Sequence, residues 1–217
     1  MVLDANPPLE TLAEIIERFR NGGEGSEHRP KTVIFEPTSV AKAVKAAEAG
    51  LLKGVHVMTP NRDEALGMAV ALGLPTDGTI EDVAAKLLDE MCSDKDHHGH
   101  CVATILMTDG KEGVMLCQKT RTKWFRPNSN VTICNATAAG DSFLGGFIAW
   151  ALYENFYSQS LPNNIGKGIS DIFTPESHEL LDTAVEFGIQ CAEATIGYEG
   201  TISADILKPL IKDATEE

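Results

Sequence analysis

Apolar positions along the chain follow two alternating rhythms. Short continuous runs at Val2 to Ala5 and at VHVMT (55–59) predict strands, and those at TVIFE (32–36) and CVATILMT (101–108) predict buried ones. Between them apolar residues recur at helical spacing. Leu9, Leu12, Ile15, Ile16 and Phe19 predict a helix after the break at Asn6-Pro7-Pro8. Ser39 is placed to cap a helix through Ala49, with Gly50 as its stop. Asn61 caps a helix toward Leu72, and another covers about Ile80 to Met91. After the CVATILMT strand, DGKEG turns the chain. VMLCQK (114–119) reads as the return strand of a hairpin, and Thr122 to Phe125 as a further edge. The segment at Asp141 opens a helix expected to run to about Tyr153. A polar, irregular excursion is expected over 154–175, then helices over about Glu176 to Thr195 and Ala204 to Lys212. NGGEGSEHRP (21–30) and SDKDHHGH (93–100) read as polar loops.

Alternation of strand and helix implies βαβ units and an α/β fold with a mostly parallel sheet, to which the late hairpin adds antiparallel strands. The first strand begins at residue 2. An internal strand of such a sheet usually has sequence neighbours on both sides, so the expectation is a fold entered partway, truncated at its N-terminal side.

Composition narrows the function. The 217 residues are 43% apolar, enough for one sizeable core. Lys plus Arg is 18 and Asp plus Glu is 32, a net charge of −14. Such a surface repels nucleic acid and anionic membranes, so neither is an expected partner. It also repels a nucleotide triphosphate unless a local anion site and a divalent cation offset the field. Five cysteines, at 92, 101, 117, 134 and 191, include no CxxC pair, which suits reduced, mostly buried thiols in a cytoplasmic protein. The start MVLDANPPLE has no apolar core of a signal peptide, and no apolar run approaches membrane-spanning length.

The chemistry concentrates at NATAAGDSFLGGF (135–147). Ala138, Ala139 and Gly140 have side chains too small to block their amides. At a helix N-terminus those amides and the helix dipole favour an anion. Asp141 follows at once, placed to take a proton from an attacking hydroxyl. Because its charge repels phosphate, such a site requires Mg²⁺. The bland alternative makes Asp141 a helix cap and Gly145 and Gly146 packing residues.

This stretch resembles the second signature of the PfkB, or ribokinase-like, carbohydrate kinases, in which a Gly-Ala-Gly-Asp turn provides the anion hole and the catalytic base. Two further landmarks follow the family's order. TPNRDEAL (59–66) resembles its Asn-x-x-Glu motif, which implies that Asn61 and Glu64 help organise Mg²⁺ and phosphate, largely through water. ILMTDGKEGVML (105–116) resembles its strand-Thr-x-Gly-x-x-Gly-strand, which implies that Thr108, Gly110 and Gly113 line the nucleotide phosphates. The plainer alternatives are an N-cap with a first-turn acid, and a hairpin turn. VLDAN together with FEPTSVAKA (35–43) looks closest to the kinase portion of eukaryotic pseudouridine-metabolising proteins.

The resemblance implies a Rossmann-like, three-layer α/β/α fold. Residues 1–217 would form the C-terminal, nucleotide-binding part of a PfkB-type kinase domain, without the sugar-binding and lid part. It further implies ATP as co-substrate, Mg²⁺, and a sugar or nucleoside hydroxyl as acceptor. The departures matter as well. Asn135-Ala136 stands where the family turn commonly begins Asp-Thr, replacing the carboxylate that helps hold a monovalent cation. Ala138 replaces a common Gly, at a cost of about 1 kcal/mol if the position needs positive φ. The expected outcomes are an inactive isolated chain and self-association through the exposed sheet, or a non-catalytic remnant that binds nucleotide or a partner.

Other signals carry less. His97, His98, His100 and Cys101 with Cys92 match no standard zinc spacing. Gly166-Lys167-Gly168 is no Walker A loop, and no GxGxxG follows a strand. Trp124 and Trp150 sit in apolar contexts that suit core or interface.

Overall fold

The structure, a computed structural model, describes residues 1–20, 32–92, 103–128, 130–159, 172–173, 177–202 and 206, without the side chains of 20 and 154–159. The loops expected at 21–30 and 93–100, the histidine cluster, Gly166-Lys167-Gly168 and nearly all of the helix expected over 204–212 lie outside the described residues.

The chain divides into two compact units, Met1–Asp109 with Met115–Trp124 and Gly110–Val114 with Phe125–Glu217. The first carries the sheet. Its strands β1 (Val2–Asp4), β2 (Ile34–Glu36), β3 (Val57–Met58), β4 (Thr104–Thr108), β5 (Val114–Gln118) and β6 (Arg121–Phe125) lie side by side in sequence order. β1 to β4 pair in parallel, with Val2 opposite Ile34, Ile34 opposite Val57, and Val57 opposite Thr104. β4, β5 and β6 are neighbours joined by short turns, which only antiparallel strands permit. The expected class is therefore observed, a mostly parallel sheet with a late antiparallel hairpin.

Between the parallel strands run α1 (Leu9–Arg20), α2 (Val40–Glu48), α3 (Arg62–Ala71) and α4 (Ile80–Met91). They share one core. Phe35, Met58, Ile105, Met107, Met115 and Cys117 meet Leu12 and Ile16 of α1, Ala43 and Ala47 of α2, Met68 of α3, and Leu87 of α4. Strand residues in the alternate register, Ile34, Val57, Leu106 and Leu116, are buried too. Burial on both faces is why these strands read as continuous apolar runs rather than alternating ones. Each fully buried side chain of this kind stabilises the fold by roughly 1.5–3 kcal/mol.

The second unit is built on α5 (Ala139–Gln159) and α6 (His178–Ile196). Glycines bring the two helices close. A Cβ on Gly146 would fall 2.5 Å from Cys191 Sγ, and one on Gly188 would fall 2.7 Å from the Phe143 carbonyl oxygen. Phe143, Phe147 and Phe173 stack alongside. α5 runs past Tyr153 into the stretch expected to be irregular. Residues 154–159 mix polar side chains with Phe156 and Tyr157 but include neither Gly nor Pro, and the first breaker is Pro162.

The cysteines differ from expectation in part. Cys117 and Cys191 are free and buried, Cys134 is free but exposed, and Cys92 is engaged in a disulfide. Burial pushes the Cys191 thiol up to about 11, which suits packing rather than reactivity.

Candidate functional site

The expected site residues fall in both units. In the first, Asn61 sits in extended conformation at the N-cap of α3, with φ −80° and ψ 171°. The Glu64 amide donates to Asn61 Oδ1 at 2.9 Å, and the Asn61 amide donates to Glu64 Oε2 at 2.8 Å. This closed capping box satisfies two orphan amides of the helix. It also fixes the Glu64 carboxyl in place, with only 2% of the residue exposed. Burial pushes the Glu64 pKa up, and the hydrogen bonds from Asn61 oppose that shift. Cap and site roles are therefore compatible, since Oε1 has no hydrogen-bond partner among the described residues.

β4 brings Thr108 beside this cap. Asn61 and Thr108 form an isolated parallel bridge, and the Thr108 amide donates to the Pro60 carbonyl at 2.9 Å. One residue on, Arg62 Nη1 donates to Asp109 Oδ2 at 2.7 Å. This hydrogen bond, and then the charge of Asp109, raises the Arg62 pKa from its ordinary value. Two of the family-like motifs, 59–66 and 105–116, are thus brought together at the C-terminal ends of parallel strands, where open α/β sheets place ligands. Thr38, just beyond β2, adds a strained residue at that end of the sheet, with φ +62° on a β-branched side chain.

The second unit opens with the turn Gly110–Glu112. Gly110 and Gly113 adopt positive φ of 49° and 95°. A Cβ on Gly110 would meet open space, whereas one on Gly113 would fall 2.0 Å from the Phe125 carbonyl oxygen. Gly113 is thus required by packing, and Gly110 leaves its surroundings clear.

At the Asp141 segment the loop is tied down before the helix starts. Amides of Cys134 and Asn135 donate to the Ile196 carbonyl, at 2.9 and 3.1 Å. Asn135 Oδ1 accepts from the Thr137 amide at 2.9 Å, an Asx turn, so the amide that replaces the family's carboxylate is committed to holding the loop. Ala138 has φ +62°, the strained conformation anticipated for that position. α5 begins at Ala139, which makes Asp141 the third helical residue rather than the cap. Its side chain is exposed and has no hydrogen-bond or ion-pair partner among the described residues. The Ala139 amide donates weakly to the Ala136 carbonyl at 3.3 Å. The Gly140 amide lies in the first turn, where intrahelical partners are lacking, and a Cβ there would meet nothing within 4 Å.

Among the described residues no group of three or more His, Cys, Asp or Glu is arranged to hold a metal ion. A buried carboxyl with one oxygen uncommitted and an amide-based cap fit a divalent cation reached through water, not one gripped by protein ligands. No described helix is long and apolar enough to cross a membrane. Trp124, half buried, donates Nε1–H to Glu81 Oε1 at 2.6 Å, a structural role. Sequence inspection missed Arg62–Asp109 and Thr38. The Arg62–Asp109 pair depends on strand register, which no local spacing reveals.

A family model described as pfkB family carbohydrate kinase matches residues 2–208. No match is found among curated proteins. Among solved structures, ribokinase from Thermotoga maritima is 25% identical with a TM-score of 0.65, covering 97% of this chain and 56% of its own. Ribokinase from Giardia lamblia is 18% identical with a TM-score of 0.68, covering 98% of this chain and 58% of its own. Adenosine kinase from Schistosoma mansoni, solved with 2-fluoroadenosine, is 16% identical with a TM-score of 0.65, covering 95% and 53%. The chain spans little more than half the length of these structures.

Proposed function

This chain belongs to the pfkB family of carbohydrate kinases, and from that premise we propose that it is the nucleotide-binding part of an ATP-dependent phosphotransferase acting on a sugar or nucleoside hydroxyl. The observation that carries this is the Asp141 carboxylate, exposed and without a partner among the described residues in the first turn of α5, behind a loop of small residues in which Ala138 is held at positive φ. As general base it accepts the acceptor hydroxyl's proton while that oxygen attacks the γ-phosphorus, and ADP leaves. Amides of the Ala138–Gly140 turn stabilise charge on the transferred group. Thr108 and Gly110 line the phosphates, with Gly113 shaping the turn. Glu64, positioned by Asn61, would hold the cation through water. Mg²⁺, when bound, neutralises phosphate charge. The acceptor favoured by VLDAN and FEPTSVAKA is pseudouridine, and the setting is the cytoplasm.

The test is thermal. Mg-ATP at millimolar concentration raises the melting temperature of the chain, as a ligand of the native state must. Absence of any shift overturns the nucleotide-binding assignments in each unit. A second reading is favoured by the departures at the turn, where Asn135 stands in place of the family's usual carboxylate and Ala138 is strained at φ +62°. In it the chain is a non-catalytic nucleotide-binding or partner-binding remnant. An Asp141→Asn variant of an active, longer protein separates the two, since only a kinase loses turnover.

A further inference from the structure

Four contacts between the third and fourth parallel strands share one register. Val57 pairs with Thr104 and Met58 with Ile105 inside the sheet, each 47 positions apart (104 − 57 and 105 − 58). Beyond the sheet the same offset recurs in the bridge of Asn61 to Thr108 (108 − 61). It recurs once more in the ion pair of Arg62 with Asp109, also 47 positions apart. The pairing thus runs on past the end of β3, through the residue that caps α3 and the residue that ends β4. Its last member is a side-chain pair rather than a backbone one.

We propose that Arg62 and Asp109 are a positioning pair, holding the α3 cap, with Asn61 and Glu64, in fixed register with the start of the phosphate turn at Thr108–Asp109. The proposal rests on the site reading above. Backbone contacts fix the two segments at Thr108, where the amide meets the Pro60 carbonyl at 2.9 Å. After Thr108 the strand β4 ends, and the Gly110–Glu112 turn leads to β5. Gly110, at positive φ, has open space around it, whereas the far end of the turn is tied down by Arg126 on the Glu112 carbonyl and by the close packing at Gly113. The ion pair is what continues the constraint at Asp109. Asp109 is the better shielded partner, its side chain 17% exposed against 48% for Arg62. Neither group is offered as touching the nucleotide; both act through the backbone of the turn and the cap.

A partly exposed pair of this kind changes an equilibrium by roughly two- to fivefold. Two measurements on the full chain test the role. The first is amide hydrogen exchange without nucleotide. Arg62→Ala and Asp109→Ala are expected to raise exchange over 108–113 by roughly two- to fivefold. The double variant should match the worse single one, and Arg62→Lys should recover part of the protection. Unchanged exchange, or single effects that multiply in the double variant, overturns the pair. The second is Mg-ATP affinity alongside melting temperature. Asp109→Ala removes a negative charge, so simple electrostatics predicts tighter binding, whereas loss of register predicts weaker binding with little change in melting temperature. Tighter or equal binding overturns the positioning role while the site reading stands. If the unaltered chain shows no response to Mg-ATP, the site reading fails instead, and the exchange measurement still decides whether the pair holds the register.

Discussion

Ser142 and Thr195 meet hydroxyl to hydroxyl, Oγ to Oγ1 at 2.7 Å, in the buried contact of α5 with α6. Ser142 follows Asp141 directly, and Thr195 adjoins Ile196, whose carbonyl receives the Cys134 and Asn135 amides. The pair therefore ties the helix that presents the candidate base to the helix end that anchors its loop. Thr195→Val leaves the Ser142 hydroxyl buried without its partner and should cost about 1–3 kcal/mol. The double variant Ser142→Ala, Thr195→Val should cost less than the two single changes summed, because both polar groups are then gone. Urea denaturation of the four proteins measures this, and additive losses would show that the hydrogen bond contributes nothing.

Ala138 carries φ +62°, where a Cβ is strained. Ala138→Gly should therefore be neutral or stabilise by up to about 1 kcal/mol, against the usual cost of glycine. A shift of the denaturation midpoint to lower urea would show that the loop tolerates alanine without strain.

Gly113 and Gly110 should respond differently to alanine. Gly113→Ala combines φ 95° with a Cβ 2.0 Å from the Phe125 carbonyl oxygen, and should cost about 2–4 kcal/mol. Gly110→Ala meets open space at φ 49° and should cost about 1 kcal/mol. Equal losses in melting experiments would remove the distinction between a packing glycine and a turn glycine.

Burial raises the folded pKa of Glu64 above its ordinary value. The native state therefore binds this proton more tightly than the unfolded chain. Between the ordinary glutamate value and the raised one, ν_U − ν_N is negative, so the Glu64 contribution to stability falls as pH rises through that window. Glu64→Gln removes the titration. Its stability relative to the unaltered protein should improve as pH rises across the window, then level off. A pH-independent difference between the two proteins would show that Glu64 titrates alike in both states.

Asp141→Asn, made in an active protein that contains this chain, should abolish turnover while nucleotide affinity persists or tightens. The base is lost, and with it a charge that repels phosphate. Near-normal kcat would return Asp141 to an ordinary first-turn acid.

Much of this protein was legible from local pattern. Continuous apolar runs marked the inner strands β2, β3 and β4, buried on both faces, and Ile80 to Met91 was read as a helix. The capping box of Asn61 and Glu64 spans three positions, so its parts are visible in the letters. α5 was read too short because polarity was taken for a break where neither Gly nor Pro interrupts the helix before Gln159.

The sequence by itself determined most of the helix and strand segments, and offered candidate side chains for the chemistry, because those follow from neighbours a few residues apart. Tertiary structure alone decided what the chemistry is attached to. Arg62 faces Asp109 only because β3 and β4 pair at an offset of 47. Gly113 is obligatory only because the Phe125 carbonyl lies where its Cβ would be. Ser142 finds Thr195 across 53 positions only because glycines let α5 and α6 approach. Such contacts follow from strand register and helix approach, which the fold as a whole sets and no short window of sequence contains.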